Sequence, residues 1–162
     1  DAVFSRRDRD TKLKILKDSC TGAFSVICFG VLMIIEYASI YSIVEYKKNI
    51  LFLLFIPIIS RSFMALMILI KPEIKESTLV KIFKDGTSLI DRVLQIIILI
   101  IIFLSLFLKL GAIYAVFMAI MCLFMLYKTN VNIKELGGIN GDVAGYGLIV
   151  GECIGLLVLA LF

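Results

Sequence analysis

The stretch GGINGDVAGYGLIVGECIGLLVLALF, Gly137 to Phe162, decides the fold. From Val143 onward it is apolar except for Glu152, and at about 20 residues it is long enough to cross hydrocarbon as a helix. In front of it stand three glycines, Gly137, Gly138 and Gly141, with Asn140 and Asp142 among them. Glycine lets backbone N–H groups approach an anion closely, and a helix start adds a positive dipole end. On spacing alone the plain reading is a tight turn before a helix. A carboxylate at a membrane entrance adds a second reading, a site for phosphate or metal.

The rest of the chain repeats the apolar pattern. Of 162 residues 61% are hydrophobic and the mean hydropathy is +1.05, values of a polytopic membrane protein rather than a soluble domain. Five spans are predicted, roughly Gly22 to Val44, Asn49 to Ile70, Val93 to Leu108, Ala112 to Tyr127 and Val143 to Phe162. The third and fourth are short for a crossing and read as one helical hairpin, with Lys109 at an interface. The fold class expected is all-α, a polytopic transmembrane helical bundle forming one integral membrane domain over residues 1–162. Within it, residues 1–21 form a charged cytoplasmic motif segment and 22–162 the membrane helices and loops. The first residue is Asp and the charged opening reads like an internal loop, so a fragment of a longer membrane enzyme is expected.

Charge sets the orientation. Six basic residues precede the first span (Arg6, Arg7, Arg9, Lys12, Lys14, Lys17), five lie between spans two and three (Lys71, Lys75, Lys81, Lys84, Arg92) and two between spans four and five (Lys128, Lys134). The remaining connections hold only Lys47, Lys48 and Lys109. By the positive-inside rule the first three segments face the cytoplasm, which leaves Phe162 outside and predicts a multi-pass protein of the cell (inner) membrane. The net charge of +4 is interleaved with acids such as Asp8, Asp10, Asp18, Glu73, Glu76, Asp85 and Asp91. Loop topology explains it, and no nucleic-acid partner is expected. Cys28, Cys122 and Cys153 fall in apolar spans and read as packing residues, not as a disulfide or zinc framework. The chain has no His, so its chemistry must use carboxylates, hard cations, Lys or Arg.

Three ionisable residues lie inside the spans: Glu36, Arg61 and Glu152. Each costs a few kcal/mol at the bilayer centre unless paired or wet. Counting from the cytoplasmic ends at ~1.5 Å per residue, Arg61 and Glu152 lie at a common depth of roughly 14 Å, where they could meet, either as a structural ion pair or within a site. Glu36 is nearer the outer surface, within snorkelling reach. Arg61 follows Pro57 and Ser60. Proline opens the helix locally, and a guanidinium there suits a phosphate. Gly147, Gly151 and Gly155, spaced by four, form a ridge for close helix approach.

The residues now resemble a known family, the cobalamin synthases or adenosylcobinamide-GDP ribazoletransferases, over essentially the whole chain. The resemblance rests on DAVFS (Asp1–Ser5) followed by Arg7-Asp8-Arg9, on LKDSCTGAF (Leu16–Phe24), on Pro57 to Arg61, and on GGINGDVAGY (Gly137–Tyr146) with Glu152 downstream. Two positions depart from the family pattern: Cys20 stands where Arg is usual, and Asn140 where Thr is usual. Members of the family have further helices before this point and an acidic motif Asp-Gly-x-Ala-Asp-x-x-Asp, whose last carboxylate Asp1 resembles. The resemblance implies the closing step of the cobalamin nucleotide loop. A hydroxyl of α-ribazole or α-ribazole 5′-phosphate attacks the cobinamide-linked phosphate of adenosylcobinamide-GDP, and GMP leaves.

Such phosphoryl transfer needs placement and charge neutralisation rather than covalent help, which Mg²⁺ on carboxylates and an Arg supply. Asp1 and Asp142 are the expected Mg²⁺ ligands or hydroxyl-orienting groups. Arg61 is expected to hold a phosphate, supported by Ser5, Ser60 and Asn140, with Gly138, Gly141 and Glu152 also at the substrate. Asp8 could share a helix face with Ser5 or be a solvated acid, and Asp18 could serve the site or cap the first span. The lipid bilayer is the expected surrounding, and an oligomer stays open. A phosphotransferase acting on CDP-alcohols, and a transporter or structural membrane subunit, are the alternatives.

Overall fold

The computed structural model describes residues 1–74 and 78–162. Lys75 and Glu76, counted above in the loop charge, lie outside the described residues. Among these the chain forms seven helices: α1 (Arg9–Lys17), α2 (Ala23–Glu45), α3 (Leu51–Ile70), α4 (Thr78–Asp85), α5 (Leu89–Leu110), α6 (Ala112–Leu136) and α7 (Gly141–Leu161). Five of them, α2, α3, α5, α6 and α7, are long and apolar enough to cross a membrane, so the expected transmembrane bundle stands. Helices satisfy every internal backbone group without water, which is why apolar runs of this length take that form.

The third and fourth spans are longer than expected. α5 begins four residues before Val93, where the Ser88 amide and hydroxyl both donate to Asp91 Oδ2 within a capping box. α6 runs nine residues past Tyr127, because Lys128, Thr129, Asn130, Asn132, Lys134 and Glu135 are polar but compatible with a helix. It stops at Gly137, whose φ of 85° is left-handed. The pair is the expected hairpin, joined at Gly111 with φ 98°.

α7 is the centre of the bundle, packed against α2, α3 and α6, while α3 also meets α5. Its glycine ridge explains the close fit. A Cβ at Gly147 would stand 2.5 Å from the Thr129 hydroxyl, and one at Gly151 would fall on Met125. At Gly155 it would come within 2.9 Å of Met121. Met64, Met118, Met121 and Met125 are buried around this seam, a flexible filler for irregular gaps. Cys122 and Cys153 are buried as expected; Cys28 is exposed on α2, so its packing assignment fails, because α2 meets the bundle along a narrow stripe only.

The short segments gather at one end. There the α3–α4 connection pairs with the α6–α7 loop through Ile74 N–H to Ile139 O (3.1 Å) and Ile139 N–H to Pro72 O (2.7 Å). α1 lies against the end of α6, with Arg9 Nε donating to Leu136 O at 2.8 Å and Lys12 paired with Glu135. A guanidinium at a helix C-terminus meets free carbonyls and the negative dipole end. At the opposite end Ser42 bonds Ala160 O, and Phe117 packs on Phe52, Tyr114 and Phe162.

Candidate functional site

Asp1 and Asp142, from opposite ends of the sequence, line one cavity of about 150 Å³ at the end where the loops gather. Lys12, Asn132, Glu135 and Tyr146 add polar groups, and Ala2, Val3, Leu16, Leu136 and Val143 form its apolar wall. Each position follows from local structure. Asn140 caps α7, its Oδ1 accepting from Val143 N–H at 2.9 Å. Its Nδ2 donates to Asp142 Oδ2 at 3.0 Å, so the cap also steadies the carboxylate in the first turn, where a helix dipole favours negative charge.

Asp1 is held more tightly. One oxygen accepts from Gly22 N–H (2.8 Å) and Ser25 Oγ (2.5 Å), the other from Ser25 N–H (3.2 Å). These are free donors at the start of α2, whose own N-cap Gly22 has no side chain to offer. Asp1 therefore caps the first span, a role that is one of the two sequence readings for Asp18. Asp18 instead ends α1 and turns its carboxylate to Cys20 N–H at 2.9 Å. Asp8 does not share a helix face with Ser5 either. It is the N-cap of α1, and bonds from the Thr11 hydroxyl and then its amide hold its carboxyl below the usual value. Ser5 sits before that helix and donates to Ala2 O at 2.9 Å, bracing the turn that carries Asp1.

The glycines divide. A Cβ on Gly138 would stand 2.5 Å from the Glu73 carbonyl carbon, so this glycine allows the α6–α7 loop to touch the α3–α4 connection. Gly141 faces open space. The plain turn-and-cap reading is thus built into the loop, together with a carboxylate that faces a cavity.

Arg61 and Glu152 meet, as their common depth implied. Arg61 NH1 donates to Glu152 Oε1 at 2.5 Å and to Pro57 O at 3.2 Å, and Ser60 Oγ donates to the same Glu152 oxygen at 2.5 Å. This cluster is not in the Asp1–Asp142 cavity. Glu152 lies ten residues beyond Asp142, about 15 Å along α7, and side chains of α3 lean toward its N-terminus, away from the loop end. Arg61 lines a separate apolar groove that reaches Gly141 through Met64, Ala65, Ala144, Gly145 and Leu148.

Sequence reasoning missed Lys12, Asn132 and Glu135 as cavity residues. Lys12 is buried at 8% exposure, which a stretch read only as loop charge does not reveal. The signal for the other two was their spacing, three apart on one helix face, which is visible only once α6 is extended past Tyr127.

Among the described residues no three His, Cys, Asp or Glu side chains cluster as a ready-made metal cage. Magnesium does not require one. It keeps several waters and takes one or two carboxylates plus substrate phosphates, and Asp142 Oδ1 and the remaining lone pair of Asp1 Oδ1 fit that demand.

Sequence comparison bears on what this end of the bundle is for. The cobalamin-5-phosphate synthase family matches residues 1–160. The chain belongs to that family. It is 44% identical over 162 residues to an adenosylcobinamide-GDP ribazoletransferase of Clostridium botulinum (strain Eklund 17B / Type B), covering 100% of this chain and 64% of the relative. A Clostridium perfringens SM101 protein of the same name is 41% identical, with 99% and 64% covered. An Acinetobacter baumannii ACICU protein, again of that name, is 29% identical, with 91% and 58% covered. The chain thus spans about 64% of the length of the clostridial relatives. No solved structure matches it.

Proposed function

We propose that this chain carries the transfer site of an adenosylcobinamide-GDP ribazoletransferase in the cell membrane, with the loop end in the cytoplasm. The observation that carries the reading is the single cavity that joins Asp1 to Asp142 beside Lys12. Family membership and the names of the relatives support the same activity. In the reaction a hydroxyl of α-ribazole or its 5′-phosphate attacks the cobinamide-linked phosphorus of adenosylcobinamide-GDP. The new P–O ester forms as the phosphoanhydride bond to GMP breaks, and the hydroxyl proton passes to a carboxylate and then to solvent.

Asp1 and Asp142 would hold Mg²⁺, which when bound neutralises phosphate charge and favours the leaving of GMP. Asn140 orients the Asp142 carboxylate, and the capping bonds of Gly22 and Ser25 orient that of Asp1. Lys12 brings positive charge to the phosphate while Glu135 holds it in place. The apolar wall limits water around the attacking hydroxyl. Arg61, braced by Ser60 and Glu152, lies too far from Asp142 to share the diphosphate and is assigned to a polar group of the larger substrate remote from it, reached along the groove from Gly141. The gathering of the basic segments at one end supports the cytoplasmic placement.

The test is turnover by the complete protein in lipid nanodiscs with adenosylcobinamide-GDP, α-ribazole and Mg²⁺. One GMP released per cobalamin formed is the expected result. A lipid product from a CDP-alcohol, or solute transport without GMP release, contradicts the proposal.

A further inference from the structure

The α6 wall of the cavity carries a residue that the fold does not explain. Asn132 is 4% exposed as a residue and lines the cavity; among the described residues the sealed side-chain atom without a partner is Thr129 Oγ1, so the Asn132 carboxamide, which bonds no neighbour, is open to the cavity. It stands one helical turn inward from Glu135, while Tyr146 stands one turn inward from Asp142. The cavity is therefore layered, with charged groups at the mouth and neutral polar groups deeper. An amide that opens on a cavity is available to whatever fills it, whereas a structural asparagine in a membrane helix would be bonded to a neighbouring helix or to its own backbone.

The kind of ligand follows from what an amide can do. Its oxygen accepts and its nitrogen donates. A phosphate oxygen would leave the amide oxygen unmatched and a cation would leave the nitrogen unmatched. A hydroxyl, which donates and accepts at once, satisfies both. We propose that Asn132 is a substrate-binding residue that hydrogen-bonds a neutral sugar hydroxyl of the α-ribazole substrate, below the charged mouth where the phosphate sits. This rests on the transfer reading of the cavity. It adds the residue that recognises the alcohol, as distinct from those that handle the phosphate.

The experiment uses the complete protein in nanodiscs, with equilibrium binding of α-ribazole alone and steady-state kinetics with both substrates. Asn132→Ala is expected to weaken α-ribazole binding about tenfold and to raise its KM similarly, with the KM for adenosylcobinamide-GDP unchanged. A set of ribose-deoxy α-ribazoles should contain one that binds Asn132→Ala and the wild type equally. Asn132→Asp keeps the volume and removes both donors, so it decides the matter if the alanine variant does not fold, and it too should bind α-ribazole more weakly. Normal α-ribazole affinity in a folded variant, or equal losses for both substrates, overturns the assignment and makes Asn132 a packing or water-binding residue. Wild type that neither binds α-ribazole nor releases GMP overturns the transfer reading and this assignment with it. Wild type that does both beside an unaffected variant overturns the assignment alone.

Discussion

Removing Glu152 isolates a guanidinium within the membrane. Glu152 is 20% exposed at its side chain and accepts from both Arg61 and Ser60 through one oxygen; Arg61 is 61% exposed but lies in the middle of α3. Exposure at that depth is exposure to lipid or to a groove lined mainly by carbon, so the charge is not relieved as it would be at a water-facing surface. An exposed pair in water is worth up to about 1 kcal/mol, and an uncompensated Arg at a helix centre costs about 3 kcal/mol. Glu152→Leu should therefore destabilise the bundle by about 2–3 kcal/mol, the bond still made to Pro57 O offsetting part of the loss. For a protein of this size that is a fall of roughly 6–10 °C in Tm. Arg61→Leu strands the acid in turn and should cost a similar amount. The double variant removes both charges and should recover most of the loss, a coupling of about 2 kcal/mol. The assay is thermal unfolding of the four proteins in nanodiscs of one lipid composition. Additive losses would refute the pairing and the depth count that led to it.

Other consequences are separable. Gly138→Ala should destabilise by about 2 kcal/mol or more, since its Cβ would strike the Glu73 backbone, which cannot move as a side chain can; Gly141→Ala, facing open space, should shift Tm little. The depressed Asp8 carboxyl contributes stability that is present above its unfolded value and lost as pH falls through the folded one. Asp8→Ala should accordingly flatten the acid limb of a helix-content titration, and an unchanged limb would count against the cap. Membrane-impermeant thiol reagents applied from outside should label a cysteine placed at Asn49 and spare one at Lys134, and the reverse pattern would invert the orientation.

Much of this architecture is legible in the sequence. Five apolar runs announce five crossings because hydrocarbon admits little else, and depth counting brought Arg61 to Glu152 because helical rise is fixed. Helix ends were harder. Hydropathy stops at Tyr127, whereas the backbone stays helical until Gly137, so hydropathy alone leaves the polar last turns of α6, with Asn132 and Glu135, in a loop. Capping roles were also obscured. Asp1 caps a helix that begins twenty-two residues later, a pairing without a local sequence signal, while Asp8, with Thr11 three residues on, caps its own helix in the ordinary local way. That Asp1 and Asp142 belong to one end was legible from charge topology. That Arg61 faces away from them was not, since side-chain lean along α3 enters only with the helix direction and the packing of α7.

The central claim is that Asp142 serves the transferred phosphate. Its most direct test is Asp142→Asn in the complete protein, which keeps the size, removes the charge and still permits a hydrogen bond from Asn140. GMP release from adenosylcobinamide-GDP and cobalamin formation should both fall by at least about a hundredfold across a Mg²⁺ titration, with Tm within a few degrees of wild type. Normal turnover at limiting Mg²⁺ would contradict the account and reduce Asp142 to a residue of the helix start.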